Sequence, residues 1–173
     1  MRCTPSATGC VVFEEIIQAL AAAGIRFVVI GGVAATIHGS ARFTNDIDIC
    51  YDPASDNRER LARLLCEWNA YLRGVEPGLP FIMDSRQLGT TPVMTLITDR
   101  GAVDIMDRVA GVGDYPDVVK VSETVAIEEL RFQVLTLDAL IAAKRATGRP
   151  KDREHLIELE ALRELRKRWK HEE

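Results

Sequence analysis

The sequence of 173 residues contains no long hydrophobic run and no closely spaced cysteine pair. No apolar stretch approaches the roughly 20 residues that a membrane-spanning helix needs, and the opening MRCTPSATGC has no signal-like apolar core. The four cysteines form no C-x-x-C pair, and no histidine stands at zinc-site spacing from them. These absences favour a protein of a reducing, cytoplasmic compartment that makes no contact with a membrane.

Several common motifs of nucleotide and ester chemistry are also missing. There is no G-x-G-x-x-G of the dinucleotide-binding fold, no G-K-[ST] of a P-loop and no G-x-S-x-G of a hydrolase elbow. The net charge of −4 provides no general basic field for nucleic acid, and no basic stretch is interleaved with aromatic residues. Only a local basic face, such as the nearly unbroken run at 166–170, leaves an RNA acceptor open.

What the sequence does contain is typical of one compact globular domain. Apolar residues make up 47% and charged residues 28% of the chain. Periodicity and turn residues predict an α+β fold, a mixed β-sheet with flanking helices and a C-terminal helical pair. The predicted strands are 27–30, 46–51, 92–97, 102–106, 124–127 and 131–135. The predicted helices are 11–23, 33–38, 57–70, 137–147 and 150 to about 170. We expect a core at 1–135, a helical extension at 136–173 packed on it, and a mobile segment at 73–91.

Two like charges interrupt an apolar strand. Asp46 and Asp48 lie two residues apart in NDIDIC, so a strand places them on one face, about 6.6 Å apart along the chain. Asp104 stands in a similar setting, VDI. At about 4 Å such charges repel by roughly 4 kcal/mol at an effective dielectric near 20, so a buried cluster needs a cation. Three carboxylates without Cys or His favour Mg²⁺, whereas a wet sheet face is the alternative. Asp107 and Asp52 are interpreted as loop or turn acids.

Two glycines end the first buried strand. FVVI is followed directly by Gly31 and Gly32, and then by a short helix. Glycine allows close approach of the backbone, and the start of a helix offers free N–H groups, which together suit a phosphate. An ordinary tight turn is the alternative. Combined with three acids on two strands, the glycines indicate a two-metal phosphoryl-transfer site, in which the ions sit about 3.5–4 Å apart.

With these motifs the sequence resembles the nucleotidyltransferase superfamily, the group with a DNA-polymerase-beta-type catalytic core. The matching segments are VVIGG, NDIDIC and VDI, and the resemblance covers roughly residues 12–150. The segment LTLDALIAAKRATGRPKD is also similar to small bacterial members related to AbiEii-type abortive-infection toxins.

The resemblance implies a role for each residue of these motifs. Asp46, Asp48 and Asp104 would bind two Mg²⁺ ions, and Asp104 would accept the proton of the attacking hydroxyl. Gly31 and Gly32 would hold the triphosphate of a nucleoside triphosphate such as ATP through their backbone N–H groups.

Further residues have both a functional and a structural interpretation. Arg42 pairs with the β- or γ-phosphate or is a solvated loop residue, and Lys144 reaches the phosphates or is a surface lysine. Thr44 adds a hydroxyl contact. His38 is expected as a surface or capping residue rather than a catalytic one, and Asp152 in a salt bridge that fixes the turn before the last helix.

The resemblance implies a Mg²⁺-dependent transfer of a nucleoside monophosphate from a nucleoside triphosphate to an acceptor hydroxyl. The acceptor is left open between RNA such as tRNA, a protein and a small hydroxylated molecule. Two alternatives remain, a component of a toxin–antitoxin pair that acts through a cognate antitoxin or other partner protein, and an antibiotic-modifying adenylyltransferase.

Overall fold

A mixed sheet of seven strands with flanking helices forms the structure, a computed structural model that describes residues 9–76, 81–150 and 152–171. The helices are α1 (Gly9–Ala22), α2 (Gly31–Ile37), α3 (Ser55–Glu67), α4 (Ser85–Thr90), α5 (Tyr115–Lys120), α6 (Leu137–Thr147) and α7 (Asp152–His171). The strands are β1 (Phe27–Ile30), β2 (Asp46–Tyr51), β3 (Tyr71–Leu72), β4 (Val93–Thr98), β5 (Gly101–Met106), β6 (Arg108–Val109), β7 (Gly113–Asp114), β8 (Ser122–Ile127) and β9 (Leu130–Leu135). The predicted α+β class is confirmed.

The sheet is mixed because its central strands run in both directions. The order is β3-β4-β5-β2-β1-β9-β8, and β6 and β7 form a separate two-stranded hairpin. Strand β1 pairs antiparallel with β2 and parallel with β9, while β2 pairs parallel with β5. Strands β2 and β5 therefore lie side by side in the interior of the sheet, each with a neighbour on both edges.

In the central strands β2 and β5, apolar residues alternate with other residues, and this alternation determines which side chains enter the core. Ile47 and Ile49 of β2 and Val103 and Ile105 of β5 are fully or almost fully buried. Successive residues of a strand point to opposite faces, so burying these four directs the intervening aspartates to the other face. The apolar run of β1 is buried along its whole length, as expected for a strand covered on both faces.

The longer predicted elements are confirmed within a few residues, whereas several short ones were missed. Helix α4 lies within the segment predicted to lack structure, and its N-terminus is capped by Asp84, which accepts from the backbone N–H groups of Arg86 and Gln87. The hairpin β6–β7 and helix α5 lie between the predicted strands 102–106 and 124–127, where no element was predicted. Strands of two residues and helices of six are too short to display their period, so the sequence pattern could not indicate them.

Helices α6 and α7 pack on each other, and α6 also packs on α2. Thr136 caps α6, accepting from the backbone N–H of Ala139 at 3.4 Å. On α7, His155 and Leu159 are buried. The division into a core at 1–135 and an extension at 136–173 stays a prediction.

His38 was expected as a surface or capping residue; it is the C-terminal capping residue of α2, as the second expectation has it, but it does not lie at the surface. Its side chain is buried, and Nε2 donates to the carbonyl oxygen of Leu135 at 2.8 Å. That contact ties the end of α2 to the end of β9, so the histidine has a structural role that its position in the sequence does not reveal.

Candidate active site

Three aspartates meet on one face of the central sheet. In the parallel pairing of β2 with β5, Asp48 lies in register with Asp104. Asp46 lies two residues before Asp48 and therefore on the same face. Asp46 retains 31% and Asp104 13% of its side-chain exposure, so the cluster is partly withdrawn from water. The sequence prediction that these carboxylates converge agrees with this geometry.

A guanidinium group already bridges two of these carboxylates. Arg73 follows the edge strand β3, and its Nη1 donates to Asp46 Oδ2 at 3.1 Å while its Nη2 donates to Asp104 Oδ1. The backbone N–H of Arg73 donates to the carbonyl of Thr95, which lies opposite Asp104 in the β4–β5 pair. Sequence analysis missed Arg73. The only signal that pointed toward it was the need of the acid cluster for a counter-charge.

Asp48 has a strongly perturbed carboxyl group. Burial, followed by repulsion from Asp46 and Asp104, raises its pKa from 3.8 to about 7. The backbone N–H of Gly32, which donates to this carboxylate, and the charge of Lys144 oppose that rise. Burial also raises the pKa of Asp104 above its ordinary value, against the lowering effect of Arg73. The cluster therefore holds more negative charge than its surroundings readily accommodate.

The turn between β1 and α2 packs closely against this cluster of aspartates. Gly31 has a φ of +63°, and a Cβ built on it would lie 2.0 Å from Asp48 Oδ2. A Cβ on Gly32 would lie 2.6 Å from Thr44 Oγ1. Both glycines are thus required by close packing of site residues against the backbone. The sequence also predicts that these glycines bind a phosphate, and this packing does not test that prediction.

The three other residues predicted to contact phosphate differ in how close they lie to the aspartates. Thr44 is in the cluster, since its Oγ1 donates to Asp46 Oδ1 at 3.0 Å. Lys144 Nζ donates to Asp152 Oδ1 at 3.0 Å, and both side chains are largely buried, so the salt bridge expected at the turn before α7 is present. Arg42 lies in the loop before β2 with Nη2 at 3.9 Å from Glu154 Oε2.

The carboxylates of Asp46, Asp48 and Asp104 are a suitable donor set for Mg²⁺, which prefers oxygen ligands. The guanidinium of Arg73 between two of them marks a position that attracts a cation. Within the described ranges, however, no group of three or more Asp, Glu, His or Cys side chains has the arrangement of a finished metal site. Metal binding at this cluster would therefore require Arg73 to withdraw from Asp46 and Asp104.

Comparison with protein families gives one match over nearly the whole chain. Residues 11–170 match the family described as "Nucleotidyl transferase of unknown function (DUF2204)". A search of curated proteins finds none that matches the sequence.

Solved structures share the fold at low sequence identity. Protein TM1012 from Thermotoga maritima, a nucleotidyltransferase by assignment, superposes with a TM-score of 0.54 and 23% identity over 85% of this chain and 89% of its own. The lincosamide antibiotic adenylyltransferase LnuA, in its lincomycin-bound structure, gives a TM-score of 0.61 and 11% identity over 91% and 99% of the two chains. The antibiotic-resistance factor ANT(2'')-Ia gives 0.54 and 13% over 93% and 92%. At these identities the likeness shows a common fold.

Proposed function

The chain belongs to a family of nucleotidyltransferases of unknown function, and from that premise we propose that Asp46, Asp48 and Asp104 form its catalytic centre. In the proposed reaction an acceptor hydroxyl attacks the α-phosphorus of a nucleoside triphosphate. A new P–O bond forms to the acceptor, the bond to pyrophosphate breaks, and the nucleoside monophosphate is transferred. The observation that carries the proposal is the register of Asp48 with Asp104, which brings acids from two strands to one point.

Two Mg²⁺ ions bound by the three aspartates would neutralise charge on the triphosphate and on the leaving pyrophosphate. Carboxylates suit this role because Mg²⁺ prefers oxygen ligands. Asp104, whose pKa is raised by burial, is the proposed acceptor of the proton that the attacking hydroxyl releases. Thr44 holds Asp46 in place through its hydroxyl, so it positions a proposed ligand rather than the substrate.

The triphosphate is proposed to bind at the β1–α2 corner, next to Gly31 and Gly32. Lys144 contributes a favourable charge toward Asp48 from its place beside Asp152, which supports a location near the phosphates. Arg42 is 43% exposed and only weakly paired, so its guanidinium is available to a phosphate that approaches from solvent. Both residues remain proposed contacts.

The proposal is tested by incubating the purified protein with Mg²⁺ and each α-labelled nucleoside triphosphate. The acceptors offered are tRNA, the protein itself, a lincosamide and an aminoglycoside. We expect label in one acceptor, and its loss by about 100-fold or more in Asp46→Asn and Asp104→Asn, the scale of a lost transition-state contact. Asp138→Asn is the matched control, since this carboxylate is 78% exposed on α6 and removed from the cluster. Asn variants that label as well as the unaltered protein would refute the assignment.

A small-molecule acceptor is the candidate that the comparisons favour. LnuA and ANT(2'')-Ia, which share the fold, act in antibiotic adenylylation and antibiotic resistance according to their names. If this chain does the same, its expression raises the drug concentration needed to inhibit a susceptible host, and Asp46→Asn abolishes the increase. Unchanged susceptibility to both drug classes would contradict this candidate and leave RNA or protein as acceptor.

Association with an antitoxin and a cytoplasmic location stay predictions from the sequence. In the described part of the chain, none of the helices is both long enough and apolar enough to cross a bilayer. Copurification of a stoichiometric partner protein from the native host tests the first of these predictions.

A further inference from the structure

The outward face of α7 is exposed between residues 153 and 169, although the opposite face is packed on the molecule. His155 and Leu159 mark the packed side. At the helical repeat of about 3.6 residues per turn, a second set of side chains points away from it. These outward residues, all exposed, are Arg153, Glu154, Ile157, Ala161, Glu164, Leu165, Arg168 and Trp169. We call this set the outer face of α7.

Large apolar side chains lie along the outer face. Ile157 is 68% exposed, Leu165 46% and Trp169 69%. With Ala161 they recur every four residues, so they form a continuous ridge of the kind that packs against another helix. Scattered apolar residues at a surface are ordinary, but a ridge of four along one helix is a contiguous patch.

The outer face is complementary to itself in the antiparallel direction. Ile157 and Leu165 lie four residues on either side of Ala161, and Glu154 and Arg168 lie seven residues on either side. If a second α7 crosses with its Ala161 against this one, each Ile157 meets a Leu165 and each Glu154 meets an Arg168. The small side chain of Ala161 at the crossing point lets the two helix axes approach closely.

Arg153 and Trp169 lie eight residues on either side of Ala161. The same symmetry therefore brings Arg153 of one chain opposite Trp169 of the other, a pair suited to a cation–π contact. Glu164 is the acid of the outer face without such a counterpart. It is neutralised within its own chain by Lys167, whose Nζ lies 3.2 Å from Glu164 Oε1. The position that the symmetry sets opposite Glu164 is Glu158, which lies off the outer face and accepts from the backbone N–H of Ala41 in its own chain. Among the residues of the outer face itself, no like-charged pair opposes the antiparallel arrangement.

We propose that two copies of this chain associate through the outer faces of α7, antiparallel and centred on Ala161. The partner is a second copy, because the apolar ridge and the charged pairs of the face find their complements on the same face turned through a two-fold axis. One helix pair alone buries an area at or below the low end of specific interfaces. The dimer is consequently weak and dependent on concentration. This inference is independent of the proposed transfer reaction.

Charge exchange tests the partner and the direction of the pair. Glu154→Arg places two arginines opposite each other at both ends of the helix pair, and Arg168→Glu places two glutamates there. Sedimentation equilibrium of the full chain from about 1 µM to about 1 mM should show a dimer for the unaltered protein and monomers for either variant. An equimolar mixture of the two variants should dimerise again, since both cross-chain pairs are then opposite in charge.

Glu129→Arg is the matched control, because it makes the same charge change at an exposed position in the β8–β9 turn, and it should dimerise like the unaltered protein. Circular dichroism establishes that each variant is folded. A monomer at every concentration, a dimer that survives both substitutions, or a mixture that stays monomeric would each overturn the proposal. A parallel pair sets each position against itself, so like charges would already meet in the unaltered protein and neither substitution would weaken the dimer.

Trp169 supplies a second readout. In Trp68→Phe the remaining tryptophan is the exposed Trp169, so its emission should shift to shorter wavelength as the protein concentration rises. A shift that depends on added anionic phospholipid vesicles and not on protein concentration would assign the outer face to a membrane surface and overturn the dimer.

Discussion

At the scale of single residues, the acid cluster is stabilised by a side chain from outside the strands that carry it. Arg73 neutralises two of the three carboxylates, and it follows the short edge strand rather than belonging to β2 or β5. A guanidinium and a divalent cation cannot occupy the same carboxylate oxygens. Arg73 therefore competes with any metal that binds there.

The first prediction concerns that competition. Arg73→Ala removes the guanidinium, so the affinity for Mn²⁺, measured by electron paramagnetic resonance as a substitute for Mg²⁺, should rise by about tenfold or more, equivalent to about 1.4 kcal/mol. Arg100→Ala, which changes an arginine in the exposed β4–β5 turn, should leave the affinity unchanged. Equal or weaker binding of Mn²⁺ by Arg73→Ala would show that Arg73 does not block the cluster.

The second prediction follows from the pKa of Asp48. In the unfolded chain this carboxyl releases its proton near 3.8, whereas in the folded protein it retains the proton up to a pKa of about 7. Between these values the folded state binds more protons, so the free energy of unfolding falls as the pH rises from about 4 to about 7. Asp48→Asn removes this cost. In metal-free buffer the variant should therefore be more stable than the unaltered protein at pH 8, with little difference at pH 4.

Urea denaturation at both pH values measures the effect, which should be on the order of a few kcal/mol. Asp56→Asn is a control with the opposite sign. A hydrogen bond from Arg26 lowers the pKa of Asp56 to about 2, so that carboxylate stabilises the fold above its ordinary pKa and this substitution should destabilise the protein at pH 8. An Asp48→Asn variant that is no more stable at pH 8 would contradict the cost assigned to burying this carboxylate.

The sequence allowed part of this site to be predicted. Asp46, Asp48 and Asp104 stand out because a charge in an apolar strand is costly, and the spacing i, i+2 sets the common face of the first two. Arg73 lies 27 residues beyond Asp46, in a stretch without periodicity, so no local pattern connects it to the acids. Sequence analysis assigned Thr44 to the phosphates, whereas in the structure its hydroxyl donates to Asp46. The contact of Arg73 arises from tertiary packing, whereas that of Thr44 is local, between residues two apart in the chain.

At the scale of elements, the turn from β1 into α2 is the most constrained feature near the site. The third prediction is that Gly31→Ala destabilises the protein more than a substitution in the same backbone conformation elsewhere. Gly24→Ala is that comparison, because Gly24 has a φ of +66° but its added Cβ would find only ordinary contact, 3.9 Å from Arg60. Left-handed conformation alone costs about 1–2 kcal/mol.

Gly31→Ala should cost at least about 1–2 kcal/mol more than Gly24→Ala, since the new Cβ displaces the carboxylate of Asp48. Chemical denaturation of both variants measures the two costs. Equal losses would mean that Asp48 moves aside freely and that close packing does not explain the glycine.

Elements differ in how far the sequence specifies them. Strands β2 and β5 and helix α6 were predicted because their apolar residues repeat over six or more positions. Strand β3 has two residues and exists only because β4 offers it a pairing edge. Helix α4 depends on the cap by Asp84. Local signals of this size occur in many loops, so they do not predict structure by themselves.

At the scale of the whole molecule, the C-terminal helices are packed against the rest of the fold, since α6 contacts α2 and α7 buries His155 and Leu159. The fourth prediction compares two apolar residues of α7. Leu159 is fully buried, so Leu159→Ala should cost about 2–5 kcal/mol of stability, whereas Ile157→Ala on the outer face should cost less than about 0.5 kcal/mol in the dilute monomer. A small effect of Leu159→Ala on denaturant unfolding would instead indicate that 136–173 folds separately.

The family and the fold indicate the class of reaction, nucleotidyl transfer, but they do not identify the acceptor molecule. Fold likeness to LnuA and ANT(2'')-Ia is measured at 11% and 13% identity, where a common scaffold does not determine the substrate. The resemblance of NDIDIC and VDI to a nucleotidyltransferase core predicted the family correctly. Neither the family nor the fold identifies the acceptor, so the labelling experiment has to decide it.

The sheet order has a mechanical consequence. The acids stand on β2 and β5, which have paired neighbours on both sides, whereas Arg73 follows β3, a two-residue strand at the rim bonded to β4 alone. Edge strands fray at far lower energy than central ones. Thermal fraying of the rim would carry the guanidinium away from carboxylates that stay in place, so hydrogen exchange should be fast at residues 71–73 and slow at 46–49.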